Sequence, residues 1–289
     1  MNKLMPLLMM ICSLGIASCS SPISTNQTTK KQEKMEISNK EKVVALLKSI
    51  ETGAQEPVGY INAGKYIQHN LGVADGLAGF GAVLQQLPPN LTKVNTVRAF
   101  QDGDFVFTHT DYNFFGPKIG FDIFRFENGK IIEHWDNLLE KPITANPSGH
   151  TMIDGPTTVK DVDKTEANKA FAKNFVTDIL MNGKMEKLAG YFDGDNYVQH
   201  NPQIGDGLSG LGKALEAMAA QGVVMKYDKT HMILGEGNFV LVVSEGSFAG
   251  QPTSFYDLFR VENDKIAEHW DVMETIADKK DWKNNNGKF

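Results

Sequence analysis

Residues 121–137 read FDIFRFENGKIIEHWDN, and residues 256–272 read YDLFRVENDKIAEHWDV. Each is a pair of apolar-rich runs around an Asn-Gly or Asn-Asp step, the chemistry of a tight β-hairpin. Residues two apart on a strand share a face. His134 and Asp136 therefore point one way and Trp135 the other, while Asp122 falls in the same row as Phe124. The second copy predicts the same for Asp257, His269, Trp270 and Asp271. A hairpin that sets carboxylates and an imidazole in an apolar row, written twice, implies a repeated, sheet-rich fold.

Upstream of each hairpin lies another strand-like stretch, KVNTVRAFQDGDFVFTHTDYNFF at 93–115 and YDKTHMILGEGNFVLVVSEGSF at 227–248, with turns at Asp102-Gly103 and Gly237-Asn238. Further upstream, YIQHN at 66–70 recurs as YVQHN at 197–201, and Asp75-Gly76 recurs as Asp206-Gly207 at the same spacing of 131 residues. Short helices are expected over 77–87 and 208–222. Each half opens on a longer one, with Ser38 and Glu41, then Asp163 and Glu166, in the spacing of a capping box. Helices followed by an antiparallel meander indicate an α+β class, each sheet wrapped around its N-terminal helices. The predicted layout is a leader over 1–19, a polar tether over 20–37, domains over 38–145 and 163–280, a linker over 146–162 and a tail over 281–289.

The leader carries Lys3, an apolar run from Leu4 to Ala17 and then IASC ending at Cys19. That pattern is similar to a bacterial lipobox, which would make Cys19 the lipidated N-terminus of a protein held at the cell envelope with its domains outside the cytoplasm. The alternative is an ordinary signal peptide cleaved near Ala17 or Ser18. Cys12 and Cys19 are the two cysteines of the chain, so the globular part has no thiolate chemistry and no disulfide. A net charge of −6 without a long basic run argues against nucleic acid as a partner. Neither a dinucleotide fingerprint, a phosphate-binding loop nor a nucleophile elbow occurs.

Chemistry must then come from carboxylates, imidazoles and hydroxyls. A carboxylate facing the hollow of a curved sheet is partly desolvated, which moves its pKa toward the range useful for proton transfer. A neighbouring histidine can polarise a carbonyl. Asp122, Asp136, Asp257 and Asp271 are the candidate bases. The competing role for Asp122 and Asp257 is an ion pair with Arg125 or Arg260. His69, His134, His200 and His269 are candidate substrate ligands, with Trp135 and Trp270 beside them; for His69 and His200 a loop-holding role is equally open, and for the tryptophans so is packing. His109 aligns with Val243, which predicts two non-equivalent pockets. Two histidines and a carboxylate can form a metal site, but no His-x-x-x-His spacing is present and no metal is expected.

The order helix, YIQHN with Asp-Gly, then FDIFRFENGKIIEHWDN resembles the SnoaL-like proteins of the nuclear-transport-factor-two-like superfamily. More narrowly it resembles the bacterial tandem group described as predicted SnoaL-like aldol-condensation enzymes. The resemblance runs from about residue 40 to the C-terminal WKNNNGKF. It implies two tandem cone-shaped barrels, each with a pocket between sheet and helices. It also implies an aspartate base, histidine and asparagine ligands for carbonyl oxygens, and no cofactor. The implied ligand is a small apolar carbonyl compound, turned over by an intramolecular aldol closure, isomerisation or dehydration. The alternatives are a non-catalytic binder of a hydrophobic molecule and, through exposed sheet faces, a homo-oligomer.

Overall fold

In the computed structural model, residues 37–88 and 90–289 are described; the leader, with Cys19, and most of the tether lie outside them. Helix α1, Asn39–Thr52, starts on the expected capping box: the Ser38 amide donates to the Glu41 carboxylate at 2.7 Å and the Glu41 amide to Ser38 Oγ at 3.2 Å. It ends at Gly53, whose φ of 73° suits a residue without a Cβ. Strand β1 is Ile67–Gln68 and helix α2 Gly76–Gln86, followed by β2 Lys93–Asp102, β3 Phe105–Asn113, β4 Pro117–Glu127 and β5 Lys130–Glu140. The second half repeats this order with α3 Thr165–Phe175, α4 Leu188–Tyr191, β6 Val198–Gln199, α5 Gly207–Ala220, β7 Met225–Glu236, β8 Phe239–Phe248, β9 Gln251–Glu262 and β10 Lys265–Thr275.

The second helix start departs from expectation. Val162–Lys164 forms a 3-10 turn, so α3 begins at Thr165 and Asp163 makes no cap. Thr165 Oγ1 instead donates to Val162 O at 2.7 Å and accepts from the Gly237 amide at 2.8 Å, tying the helix start to the β7–β8 turn.

Each half builds one five-stranded sheet, in the orders β1-β5-β4-β3-β2 and β6-β10-β9-β8-β7. The first strand of each pairs parallel and all others antiparallel. These are two α+β units in tandem, as the resemblance implies. Both hairpin turns have two consecutive positive φ values, 51° and 73° at Asn128-Gly129 and 51° and 57° at Asn263-Asp264, the geometry that matches strand twist. Asp122 sits directly opposite Asp136, and Asp257 opposite Asp271.

One face of each sheet packs under its own helices. The inner core of the first half gathers Val43, Leu46, Leu47, Tyr66, Tyr112 and Phe124; that of the second gathers Phe175, Val176, Tyr197, Tyr227 and Phe259. The opposite faces pack on each other. Phe107, Phe121, Ile123 and Trp135 join Phe239, Leu241, Tyr256 and Trp270 in a single buried cluster. Strict alternation thus sends Phe121, Ile123 and Trp135 to the interface and Asp122, Phe124, His134 and Asp136 inward.

Residues 146–156 and 284–288 act as arms, each laid on the Gln-His-Asn segment of the opposite half. Asn146 Nδ2 donates to Gln199 O and Ile204 O at 2.6 and 3.0 Å. Asn284 Nδ2 donates to Asn70 O and Val73 O at 2.8 and 2.9 Å, and Asn286 Nδ2 to Gln68 O at 2.9 Å. Each exchange satisfies carbonyls that a two-residue strand leaves unpaired.

Candidate functional site

Each half encloses a cavity between sheet and helices, of about 330 Å³ in the first and about 540 Å³ in the second. Tyr66, Gln68, Asn70, Asp122, His134 and Asp136 line the first; Tyr197, Gln199, Asn201, Asp257, His269 and Asp271 line the second. The remaining walls are mostly aliphatic and aromatic.

The polar groups form a chain. His134 stacks on Phe124 at 4.6 Å between ring centroids, with Nδ1 3.1 Å from Gln68 Oε1 and Nε2 3.3 Å from Asp122 Oδ1. His269 repeats this on Phe259, with 3.2 Å to Gln199 Oε1 and 3.1 Å to Asp257 Oδ1. The orientation of the glutamine amide follows from its other bonds: Gln68 Oε1 accepts from the Asn70 amide at 2.8 Å, and Gln199 Oε1 from the His200 and Asn201 amides at 2.9 Å each. An oxygen facing Nδ1 makes that nitrogen the protonated one. Nε2 then faces the aspartate.

Tyr112 Oη donates to Asp122 Oδ2 at 2.7 Å, and Tyr227 Oη reaches Asp257 at 3.2 Å. Burial first, then the aspartate charges, pushes both phenols well above their ordinary pKa, which keeps them neutral donors. Gln199 Nε2 donates to Tyr197 Oη at 2.8 Å, so the Tyr197 hydroxyl proton is directed elsewhere. Its pKa is likewise raised by burial, then by the Asp271 and Asp257 charges.

The second aspartate of each pair differs. Asn70 Nδ2 donates to Asp136 Oδ2 at 2.7 Å, while Asp136 Oδ1 is buried without a hydrogen-bond partner among the described residues. Asn201 Nδ2 sits 3.0 and 2.8 Å from the two oxygens of Asp271. Burial raises the Asp271 pKa; the His269 charge opposes this and the Asp257 charge adds to it. For His269 burial acts downward, but the hydrogen bond to Asp257 and the charges of Asp271 and Asp257 prevail and raise its pKa. Donor atoms of Asp122, His134 and Asp136 lie within 4.8 Å of one another, close enough for a cation. The 3.3 Å contact of His134 with Asp122 is that of a direct hydrogen bond.

Several sequence candidates lie elsewhere. His69 stacks on Trp135 at 4.6 Å and bonds Gly287 O and Glu133 Oε1, each at 2.9 Å. His200 stacks on Trp270 at 4.5 Å and bonds Thr151 O and Glu268 Oε1, each at 2.9 Å. All four rings face the interface and the arms, so they do not line the cavities. His109 is also on the interface side, stacked on Phe121 at 4.3 Å with Nδ1 3.2 Å from Arg98 Nη1. It therefore does not distinguish the two pockets; it distinguishes the two sides of the interface. The alternative ion pairs do not form either, because Arg125 pairs with Glu133, and Arg260 with Glu268 and Glu262.

Gln68, Gln199, Tyr112 and Tyr227 went unnoticed in the sequence. A polar alternation carried part of the signal. Tyr66, Gln68 and Asn70 are two apart and all face the cavity, as are Tyr197, Gln199 and Asn201.

No family model and no curated protein matches the chain. Solved structures similar to it include TsrD from Streptomyces laurentii, at 18% identity over 36% of this chain and 91% of that one with a TM-score of 0.30. IdmH from Streptomyces antibioticus, a candidate polyketide cyclase, is 18% identical over 34% of this chain and 89% of its own, with a TM-score of 0.31. An NTF2-like protein of unknown function from Cytophaga hutchinsonii is 15% identical over 37% of this chain and 94% of its own, with a TM-score of 0.32. Each match has the length of one half.

Proposed function

We propose that each cavity binds a small, mostly apolar carbonyl compound and removes a proton from the carbon beside the carbonyl, without a cofactor. The observation that carries this reading is Asp136 Oδ1, a buried carboxylate oxygen in the wall of an apolar cavity that accepts no hydrogen bond among the described residues and has only the Lys288 ammonium 4.0 Å away. Such an oxygen is costly unless something supplies a proton to it. Asp122 has its lone pairs engaged by Tyr112, Thr108 and His134. Asp136 is therefore the base in the first half, and Asp271, whose raised pKa suits proton capture, in the second.

Once the C–H bond breaks, its electron pair moves onto the carbonyl oxygen as an enolate. The hydroxyl of Tyr66 or Tyr197 stabilises that oxygen. Gln68 and Gln199 hold the histidine ring with Nε2 on Asp122 or Asp257. The same step serves an intramolecular aldol closure, an isomerisation or a dehydration. The residues of the leader fit a placement at the bacterial cell envelope through lipid on Cys19, a reading that mass spectrometry of the N-terminal peptide tests. No described helix is long and apolar enough to cross a membrane.

Solvent-isotope exchange into an apolar ketone, followed by NMR, tests the chemistry. Asp136→Asn combined with Asp271→Asn should slow exchange by about 10²–10⁴-fold, each single variant removing the share of one cavity. Unchanged exchange in the double variant rules the mechanism out. A ligand recovered chemically unaltered from a protein without exchange activity would instead identify a binding protein.

A further inference from the structure

The second half carries a polar cluster larger than its structural duty requires. In the first half, holding the Gln-His-Asn loop takes the stack of His69 on Trp135, one carbonyl and one glutamate. His200 repeats all of this with Trp270, Thr151 O and Glu268. Two further side chains then converge on the same ring. Asp154 Oδ1 lies 2.7 Å from His200 Nδ1, and Asp154 Oδ2 lies 3.5 Å from His150 Nδ1. The two imidazoles are 5.3 Å apart between centroids. His150 follows Gly149 in its arm as Lys288 follows Gly287 in the other; the Lys288 ammonium goes instead to Asp136 O and Glu274, each at 2.8 Å.

We infer that His150, Asp154 and His200 form a binding site for one divalent transition-metal ion of the zinc type. Their donor atoms lie within 4.8 Å of one another. Ligands at about 2.0–2.2 Å from a tetrahedral ion stand a little over 3 Å apart, so the cluster needs only small adjustment. Each histidine has its remote nitrogen held by a carboxylate: His200 Nε2 by Glu268 at 2.9 Å and His150 Nε2 by Asp206 at 3.2 Å. That outer arrangement fixes the tautomer and leaves both Nδ1 atoms facing the centre. Two imidazoles with one carboxylate favour zinc, cobalt or nickel over magnesium or calcium. An ion on His200 Nδ1 takes the place of its 2.9 Å contact with Thr151 O. His150 and Asp154 are half-exposed, so an ion can reach the site. The ion would clasp the 146–156 arm to the loop whose Gln203 and Ile204 line the second cavity. This inference is independent of the chemistry proposed for the cavities.

Protein treated with a chelator and titrated with Zn²⁺ and then Co²⁺ by calorimetry tests it. One equivalent should bind, and His150→Ala and Asp154→Asn should each weaken binding by at least about 10-fold while the circular dichroism spectrum is unchanged. Both side chains are partly exposed, so neither variant threatens folding. Asp136→Asn, which alters the other candidate cation cluster, should leave the affinity as it was. Absence of binding, binding indifferent to both arm variants, or binding lost in Asp136→Asn would overturn the assignment.

Discussion

The two halves agree inside and differ where they meet. Inside, Gln, His, Asp and Tyr recur with matching contacts: 3.1 and 3.2 Å from histidine to glutamine, 3.3 and 3.1 Å from histidine to aspartate. At the interface the first half presents Arg98 paired with His109, and the second presents Met232 opposite Val243. Arg98 caps the carbonyls of the 146–156 arm, donating to Pro156 O at 2.9 Å and Ile153 O at 3.1 Å, and lies 4.4 Å over the Trp270 ring. Two identical subunits would have to present the same patch to each other. A fused pair has no such constraint, and here the Arg98–His109 corner is polar and arm-binding while the Met232–Val243 corner is apolar. The contacts of each cavity histidine with glutamine and aspartate, made within one half, show no such divergence.

Removing the interface tryptophans tests that asymmetry most severely. Trp270 has His200 on its ring, Arg98 nearby and Nε1–H donated to Asp154 O at 3.0 Å. Trp135 has His69 on its ring, and its Nε1 has no partner among the described residues. Trp270→Ala should cost about 3–5 kcal/mol, and Trp135→Ala less, in urea unfolding with an unchanged denaturant slope. Equal losses would mean that the polar contacts around Trp270 add nothing.

The arms offer a comparison of smaller size. Asn146→Ala removes the side-chain donor to Gln199 O and Ile204 O, and Asn284→Ala removes that to Val73 O and to Asn70 O, which keeps the Val73 amide at 3.1 Å. Each should destabilise by about 1–3 kcal/mol. Hydrogen exchange should rise in the Gln-His-Asn loop of the opposite half, because the arms are exchanged. A rise confined to the arm's own half would contradict that exchange.

How much of this was written in the sequence depends on the range of the interaction. Period-two alternation in 121–137 and 256–272 placed Asp122, His134 and Asp136 on one face and Trp135 on the other, because long strands impose that geometry locally. In β1 and β6 the strand is two residues long, and Tyr66, Gln68 and Asn70 alternate in polar rather than apolar residues. The ring of His69 was the visible chemistry there, yet it is the residue turned away from the cavity. The arms were harder still. Asn146 and Asn284 sit in stretches rich in Asn, Pro and Gly with no periodicity, and their order comes from carbonyls that are 53 and 214 residues distant along the chain. Tyr112 gave no hint because its role depends on where Asp122 lands on the next strand.

Asp271 sharpens the comparison between the cavities through pH. Its raised pKa means that the folded chain holds this proton more tightly than the unfolded chain. The associated stability is present at low pH and declines as pH rises from the ordinary carboxylate value, about 3.9, through the folded one. Asp271→Asn should remove that decline, so the variant should lose second-cavity exchange activity yet fall less in stability as pH rises above the ordinary carboxylate value. In the wild type, second-cavity activity should rise with pH as Asp271 ionises. A rate that is flat with pH would take the base role from it.

The smallest expected effect concerns His109, and it carries the opposite sign. Burial, then the charges of Arg98 and His200, holds its pKa well below the ordinary histidine value. The folded chain keeps this imidazole neutral, whereas the unfolded chain takes up a proton below about pH 6.5. Stability from this position is therefore present above pH 6.5 and is lost as pH falls. His109→Val copies Val243 of the other half and removes the titration, together with a ring nitrogen, Nε2, that is buried without a partner. At pH 7 the variant should be slightly less stable, since Arg98 loses its 3.2 Å contact and Phe121 its stacked ring. Below pH 6 the order should reverse, in urea unfolding at each pH. The crossover is the informative quantity: it measures what a polar corner costs an interface whose other corner is apolar. Parallel stability curves for the two proteins would show that His109 is solvated on the acid side and that the difference between the corners carries no energetic weight.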